Sequence, residues 1–245
     1  MNKLAFIRPN WPVPANVHAA STFREGGVSR GPYDNFNLAT HVGDDVQAVA
    51  DNRQRLGALL QLPGEPCWLD QVHGDAVVEA SSRSQPARAD ACVARSADLV
   101  CAVLTADCLP VLFSSRDGDR VAAAHAGWRG LAGGVLDTTV SSLNLPGSEL
   151  TAWLGPAIGQ HAFEVGDDVR VAFLARDAGS ADAFAPNKRG RWQCDLYALA
   201  RRNLHRLGVR EIYGGGYCTY TDTDNFFSFR RDGQCGRMAT MVWRE

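Results

Sequence analysis

Leu99-Val100-Cys101-Ala102-Val103-Leu104, Leu109-Pro110-Val111-Leu112-Phe113 and Val121-Ala122-Ala123-Ala124 are three short runs rich in Val, Leu and Ala. Each has the length of a strand, and turn residues such as Asp117-Gly118-Asp119 bound them. Because the apolar residues do not alternate with polar ones, both faces of these strands should be buried. Gly130 to Leu143 follows the third run with Leu131, Val135, Leu136 and Val140 at helical spacing, which predicts a helix after the strand. Mixed α/β layers follow.

Outward from this centre, Asp44 and Asp45 can cap a helix running to about Leu60. Val49, Leu56, Leu59 and Leu60 would share its buried face and leave Arg53 and Arg55 in water. A second helix should begin near Asp195, bury Leu196, Leu199, Ala200, Leu204 and Leu207, and stop at Gly208. Ser81 to Ala97, rich in Ser, Arg and Ala and containing Pro86, reads as a surface excursion too short for an interdomain linker. Met238 to Trp243 is apolar and β-prone, so it should return to the sheet. No internal repeat is visible, and residues 1–245 read as a single domain.

The chain has 245 residues, of which 45 % are hydrophobic and 21 % charged, which is ordinary globular usage. Its formal net charge of -2 and the lack of Lys/Arg runs argue against a nucleic-acid partner. Prolines stand where a signal core would lie in Met1 to Pro14, and no stretch reaches membrane-spanning length. The expectation is a cytoplasmic protein with no membrane contact. Its seven cysteines, at 67, 92, 101, 108, 194, 218 and 235, lack paired spacing and read as reduced thiols. With no C-x-x-C knuckle, any metal site must be assembled from distant positions.

Three residues share such a setting. Cys108 lies in Thr105-Ala106-Asp107-Cys108-Leu109-Pro110, where a polar dipeptide and a proline interrupt two strand-like runs. His125 ends Val121 to Ala124 just before Ala126-Gly127-Trp128-Arg129-Gly130, and strand carboxyl ends are where α/β sheets gather ligands. His73, in Gln71-Val72-His73-Gly74, precedes a glycine that permits close approach. Two imidazoles and a thiolate suit zinc or copper and leave a fourth position open for water or substrate. From spacing alone, packed and satisfied side chains are the commoner explanation of such residues. The Gly127–Gly130 junction with the fork of Arg129 would suit an anion such as phosphate, or simply make a turn beside a surface arginine. Gly214-Gly215-Gly216 lacks dinucleotide-loop spacing.

At these residues the sequence resembles the laccase-domain family, the multicopper polyphenol oxidoreductase or YfiH-type family. The similarity runs through Gly26-Gly27-Val28-Ser29, Gly31-Pro32-Tyr33 to Asn37-Leu38, His41-Val42-Gly43-Asp44, Gln71 to Gly74, Thr105 to Val111 and His125 to Gly130. It continues through Gly155-Pro156-Ala157-Ile158-Gly159, Phe163-Glu164-Val165-Gly166 and Phe226 to Gly233. Phe23 and Ala39 depart from the pattern, which usually has Thr and Gly there. The resemblance implies that His73, Cys108 and His125 bind the metal, with Zn2+ first and copper second. It gives substrate-binding roles to Arg129, Gln71 and Asn37, and catalytic ones to Cys108, His125 and Asp107. It also implies a single α+β sandwich similar to the catalytic domain of the cytotoxic necrotizing factor toxins.

A blue multicopper oxidase needs roughly ten imidazoles, given its His-rich ligation. The chain has six histidines; adding His18, His41, His161 and His205 to the pair still falls short. The activity that the resemblance best implies is phosphorolysis of adenosine, inosine or methylthioadenosine, with adenosine deamination alongside. Phosphate would lie on the metal and near Arg129, with Asp107 as a proton carrier. Other readings stay open: an amidase removing L-Ser from the cytoplasmic muramyl precursor, a copper polyphenol oxidase of another design, a metal-free hydrolase built on Cys108 and His125, and a non-catalytic scaffold.

Overall fold

The computed structural model describes residues 6–81 and 86–245. Two sheets form its middle. One has four antiparallel strands in the order Phe6–Ile7, Val17–Thr22, Met238–Arg244, Cys101–Thr105. The other has six, in the order Glu211–Gly214, Leu150–Leu154, Leu109–Ser115, Val121–Ala126, Ala91–Ala94, Val77–Glu79. Its two outermost pairs are parallel and the inner three antiparallel, so the sheet is mixed.

Side-chain alternation along each strand fixes the layers. Cys101 and Val103 from the smaller sheet meet Cys92, Leu112, Val121, Ala123 and Trp153 from the larger one. The intervening residues Ala102 and Leu104, with Ala239 and Met241, turn outward to pack under Leu56, Phe36, Leu38 and Trp68. On the far face of the larger sheet, Val111, Phe113, Ala122 and Ala124 meet Leu136 and Leu143 of the helix Val135–Leu143 and Leu199 and Leu204 of the helix Leu196–Arg206. The result is helix, sheet, sheet, helix: an α+β fold with mixed layers. Each fully buried Leu, Val or Phe contributes about 1.5–3 kcal/mol relative to exposure, so the three runs that open the sequence reading also anchor the stability.

The expected ends of the helices hold. Asp45 caps Val46–Leu60 by accepting from Ala48 N, and Asp195 caps Leu196–Arg206 by accepting from Ala198 N. The returning strand Met238–Arg244 sits between two neighbours in the smaller sheet.

Four details differ. The helix expected over Gly130 to Leu143 is two helices, Trp128–Gly133 and Val135–Leu143, separated by Gly134 at φ 109. Ser81 to Ala97 is not all a surface excursion: Ala91–Ala94 is a fully buried strand, and its small residues hid it in a polar neighbourhood. Part of that stretch, 82–85, lies outside the described residues, as do residues 1–5 of the segment read for a signal core. Leu59 is 45 % exposed because the buried face of its helix centres on Val49, Asn52 and Leu56. Arg53 lies against Trp68, its guanidinium carbon 4.1 Å from the ring centroid, and donates to the Leu38 carbonyl, so it is not in water.

Candidate metal centre

The chain crosses from the smaller sheet to the larger at Ala106–Cys108, between the strands Cys101–Thr105 and Leu109–Ser115. Cys108 is half-buried at that crossing. His125, the penultimate residue of Val121–Ala126, is 3 % exposed. His73 follows the short strand Leu69–Asp70 and is exposed, so the cluster has one wet side. One ligand atom from each of the three can be chosen such that all lie within 4.8 Å of one another. Cys108 Sγ is 4.0 Å from His73 Nε2, against about 3.6 Å for a sulfur and a nitrogen bound to one tetrahedral zinc. Among the described residues no other group of His, Cys, Asp or Glu offers such a set.

Gly127 shows that the space between the donors is kept free. A Cβ there would lie 3.0 Å from Cys108 Sγ, 3.2 Å from His73 Cδ2 and 3.5 Å from His125 Nε2. Any side chain there would crowd all three ligand side chains. The donors are soft-to-borderline, the gap between them is preserved, and the fourth side is open, so the residues fit one zinc or copper ion.

Asp90 was not among the expected site residues, yet it holds two of the ligands. It is fully buried. One oxygen accepts from His73 N at 2.9 Å and lies 2.8 Å from His125 Nδ1. The other accepts from Val72 N at 3.2 Å and Gly74 N at 2.7 Å. Three successive N–H groups converging on one carboxylate hold His73 at φ 62, a conformation that costs a non-glycine residue energy. With Nδ1–H committed to Asp90, His125 presents Nε2 as its free donor, the outer-shell arrangement common to histidine metal ligands.

The electrostatics agree with that geometry. Burial would push the Cys108 thiol up, but the facing imidazoles of His125 and His73 outweigh it and bring the thiol down to about 6. Burial would likewise disfavour a charged His125, but Cys108 and Asp90 raise it to about 9. Burial also works against ionised Asp90, and hydrogen bonds from His125, Gly74 and His73 hold its carboxyl below the usual range. A thiolate is the form that binds metal or attacks an electrophile, so Cys108 is prepared for either.

The other expected residues are placed differently. Asp107, at φ 85 and 8 % exposed, accepts from the Thr219 hydroxyl at 2.6 Å, the Ser228 hydroxyl at 3.0 Å and Arg230 N at 2.7 Å. Its carboxylate fastens the C-terminal segment to the Cys108 crossing. Gln71 donates to the Leu104 carbonyl and accepts from Leu104 N, so its amide ties the His73 loop to the smaller sheet. Asn37 is fully buried. Its amide bonds to Ala39, Asp44 and Arg237 N, and it has no spare group for a substrate. Arg129 is exposed, with its guanidinium carbon 4.4 Å from the Trp128 ring centroid.

A family model described as multi-copper polyphenol oxidoreductase laccase matches residues 18–245. The sequence is 53 % identical over 240 residues to a purine nucleoside phosphorylase of Pseudomonas aeruginosa, covering 98 % of both chains. It is 51 % identical over 244 residues to the purine nucleoside phosphorylase YfiH of Escherichia coli, covering 99 % of both. The fold superposes on a Neisseria meningitidis protein with a TM-score of 0.95 at 49 % identity, covering 98 % of this chain and 99 % of that one. For YlmD of Geobacillus stearothermophilus the TM-score is 0.93 at 30 % identity, with 100 % and 98 % covered.

Proposed function

The chain belongs to the multi-copper polyphenol oxidoreductase laccase family, and from that premise we propose that it is a metal-dependent purine nucleoside phosphorylase that also deaminates adenosine. Adenosine, inosine and methylthioadenosine are the substrates of this reading, each yielding its free base and the 1-phosphate of its own sugar, which for methylthioadenosine keeps the 5′-methylthio group. The observation that carries it is the set His73, Cys108 and His125 around the gap preserved by Gly127. The names of the two bacterial relatives support the choice of substrate.

In phosphorolysis a phosphate oxygen attacks the ribose anomeric carbon and the electrons of the glycosidic bond leave with the base. When bound, zinc or copper supplies Lewis acidity at the open side of the trio. The protein's part is positional. Asp90 fixes the His125 ring and the His73 loop before any ligand arrives, so little reorganisation remains at the moment of reaction. Arg129, exposed two residues beyond Gly127, carries a bidentate fork for an anionic group. The seven free cysteines support a reducing, cytoplasmic setting.

One observation favours a second reading. Cys108, His125 and Asp90 form a nucleophile, base and orienting carboxylate in the order that a cysteine hydrolase uses. His73 separates the two, because a metal centre needs it as a ligand whereas in the hydrolase it only helps to hold the Cys108 thiolate. Metal content of the purified protein, followed by chelation and an assay with inosine and phosphate, is the first test; full activity after removal of the metal would sink the phosphorylase reading in its metal-dependent form. His73→Ala is the second. The metal reading expects loss of bound zinc together with activity, whereas the hydrolase reading expects activity to survive.

A further inference from the structure

A cavity of about 480 Å³ is walled by Glu164, Asn187, Lys188, Arg189, Arg230 and His161. Its charge balance is positive. Glu164 is the acid in this wall, and its carboxylate is already engaged: one oxygen accepts from Asn187 Nδ2 at 2.8 Å and the other lies 3.6 Å from Arg189. Arg230 spends one guanidinium nitrogen on the Glu164 carbonyl at 2.8 Å, with its guanidinium carbon 5.1 Å from the Phe163 ring centroid. Among the described residues its remaining N–H groups and the Lys188 ammonium are unpaired.

Hydrogen bonds tie the turn that carries Lys188 to the neighbouring strand and loop. Asn187 also donates to Gln193 Oε1 at 3.0 Å, and Gln193 Nε2 donates to the carbonyls of Gln160 at 3.2 Å and His161 at 2.7 Å. Arg230 N bonds the Asp107 carboxylate, and Ile158 N bonds the Asp107 carbonyl at 3.0 Å. The residue that precedes Cys108 therefore fastens the backbone of both Arg230 and Ile158. Through Asp107 the backbone of Arg230 is tied to the crossing that carries Cys108.

We propose that this compartment is an oxyanion subsite that binds a phosphoryl group through Lys188 and Arg230. Two cations with unspent donors, on a floor whose acid is neutralised from within, suit an anion with several acceptor oxygens. The phosphoryl group can be free phosphate or one carried on the substrate, and the link to turnover rests on the phosphorylase reading above.

The test is a titration of the metal-loaded full chain with inorganic phosphate, and separately with adenosine 5′-monophosphate against adenosine. Lys188→Ala and Arg230→Ala should each weaken phosphoryl binding about tenfold, the scale of one charge-assisted hydrogen bond. Zinc content and the melting temperature should stay near those of the parent, because Arg230→Ala keeps the backbone N–H that holds Asp107. If the monophosphate binds more tightly than adenosine and loses that advantage in both variants, the phosphoryl group is one carried on the substrate. If only inorganic phosphate is weakened, it is the free anion. Binding unchanged in both variants, or no saturable binding of either phosphoryl probe to the parent chain, overturns the proposal. Release of base from inosine, measured in parallel, is a separate readout: its absence would end the phosphorylase reading and leave the titration standing.

Discussion

Asp90 and Asp107 are both buried, and each accepts several hydrogen bonds beside the metal trio, yet they do different work. Asp90 touches the ligands themselves, the His125 ring and the backbone of His73. Asp107 touches no ligand side chain; its three donors come from the C-terminal segment at Thr219, Ser228 and Arg230. One carboxylate sets the chemistry of the donors, and the other fastens the loop that carries one of them. The difference shows that burial and hydrogen-bond number do not identify a functional carboxylate. The identity of its donors does.

The largest expected effect is on the Asp90 side. In Asp90→Asn one oxygen becomes an NH2 group, which must face either His73 N and His125 Nδ1 or Val72 N and Gly74 N. In each case donors meet a donor, so the ring or the loop is released. Zinc affinity, measured by competition with a chromophoric chelator on protein shown to be folded, should fall about 10- to 100-fold. Affinity within about twofold of the parent would break the comparison at its stronger end.

Asp107→Asn should act on stability rather than on the metal. Weakening charge-assisted acceptance from Thr219, Ser228 and Arg230 should lower the unfolding free energy by about 1–3 kcal/mol in urea titrations. Zinc affinity should remain close to that of the parent. A drop in affinity comparable to that of Asp90→Asn would mean that the fastening is itself part of the ligand set.

The same contrast explains how much of the molecule can be read from sequence. The strands at Leu109–Ser115 and Val121–Ala126 are legible because unbroken apolar runs need no partner to be recognised. The helix after Asp195 is legible because cap, stripe and stop are all local. His73, Cys108 and His125 stand out through the motifs around them. Asp90 does not, since Ala89-Asp90-Ala91 looks like a polar break in a small-residue loop, and its partners lie up to 35 residues away. Asp107 is conspicuous in its motif, but its donors come 112 to 123 residues later, so its saturation is invisible from its neighbours. Asn37 is misleading for the same reason, with Arg237 N 200 residues distant. Which polar groups are already satisfied is a property of the fold, and it separates fastening residues from reacting ones.

The smallest expected effect sharpens the comparison through proton affinity. In metal-stripped protein the alkylation rate of Cys108 follows its thiolate fraction, so it should rise with pH through a midpoint near 6 and level off above it. The midpoint belongs to the Cys108–His125 pair, because each group shifts the other. Asp90 enters by favouring the charged imidazole. Without its carboxylate the imidazolium is harder to form, and a neutral ring supports the thiolate less. Asp90→Asn should therefore move the alkylation midpoint upward, towards the ordinary thiol value, while Asp107→Asn leaves it in place. Peptide mapping after iodoacetamide treatment, with Cys218 as the half-buried internal control, reads both. A midpoint that moves with Asp107 and not with Asp90 would reverse the roles assigned to the two carboxylates.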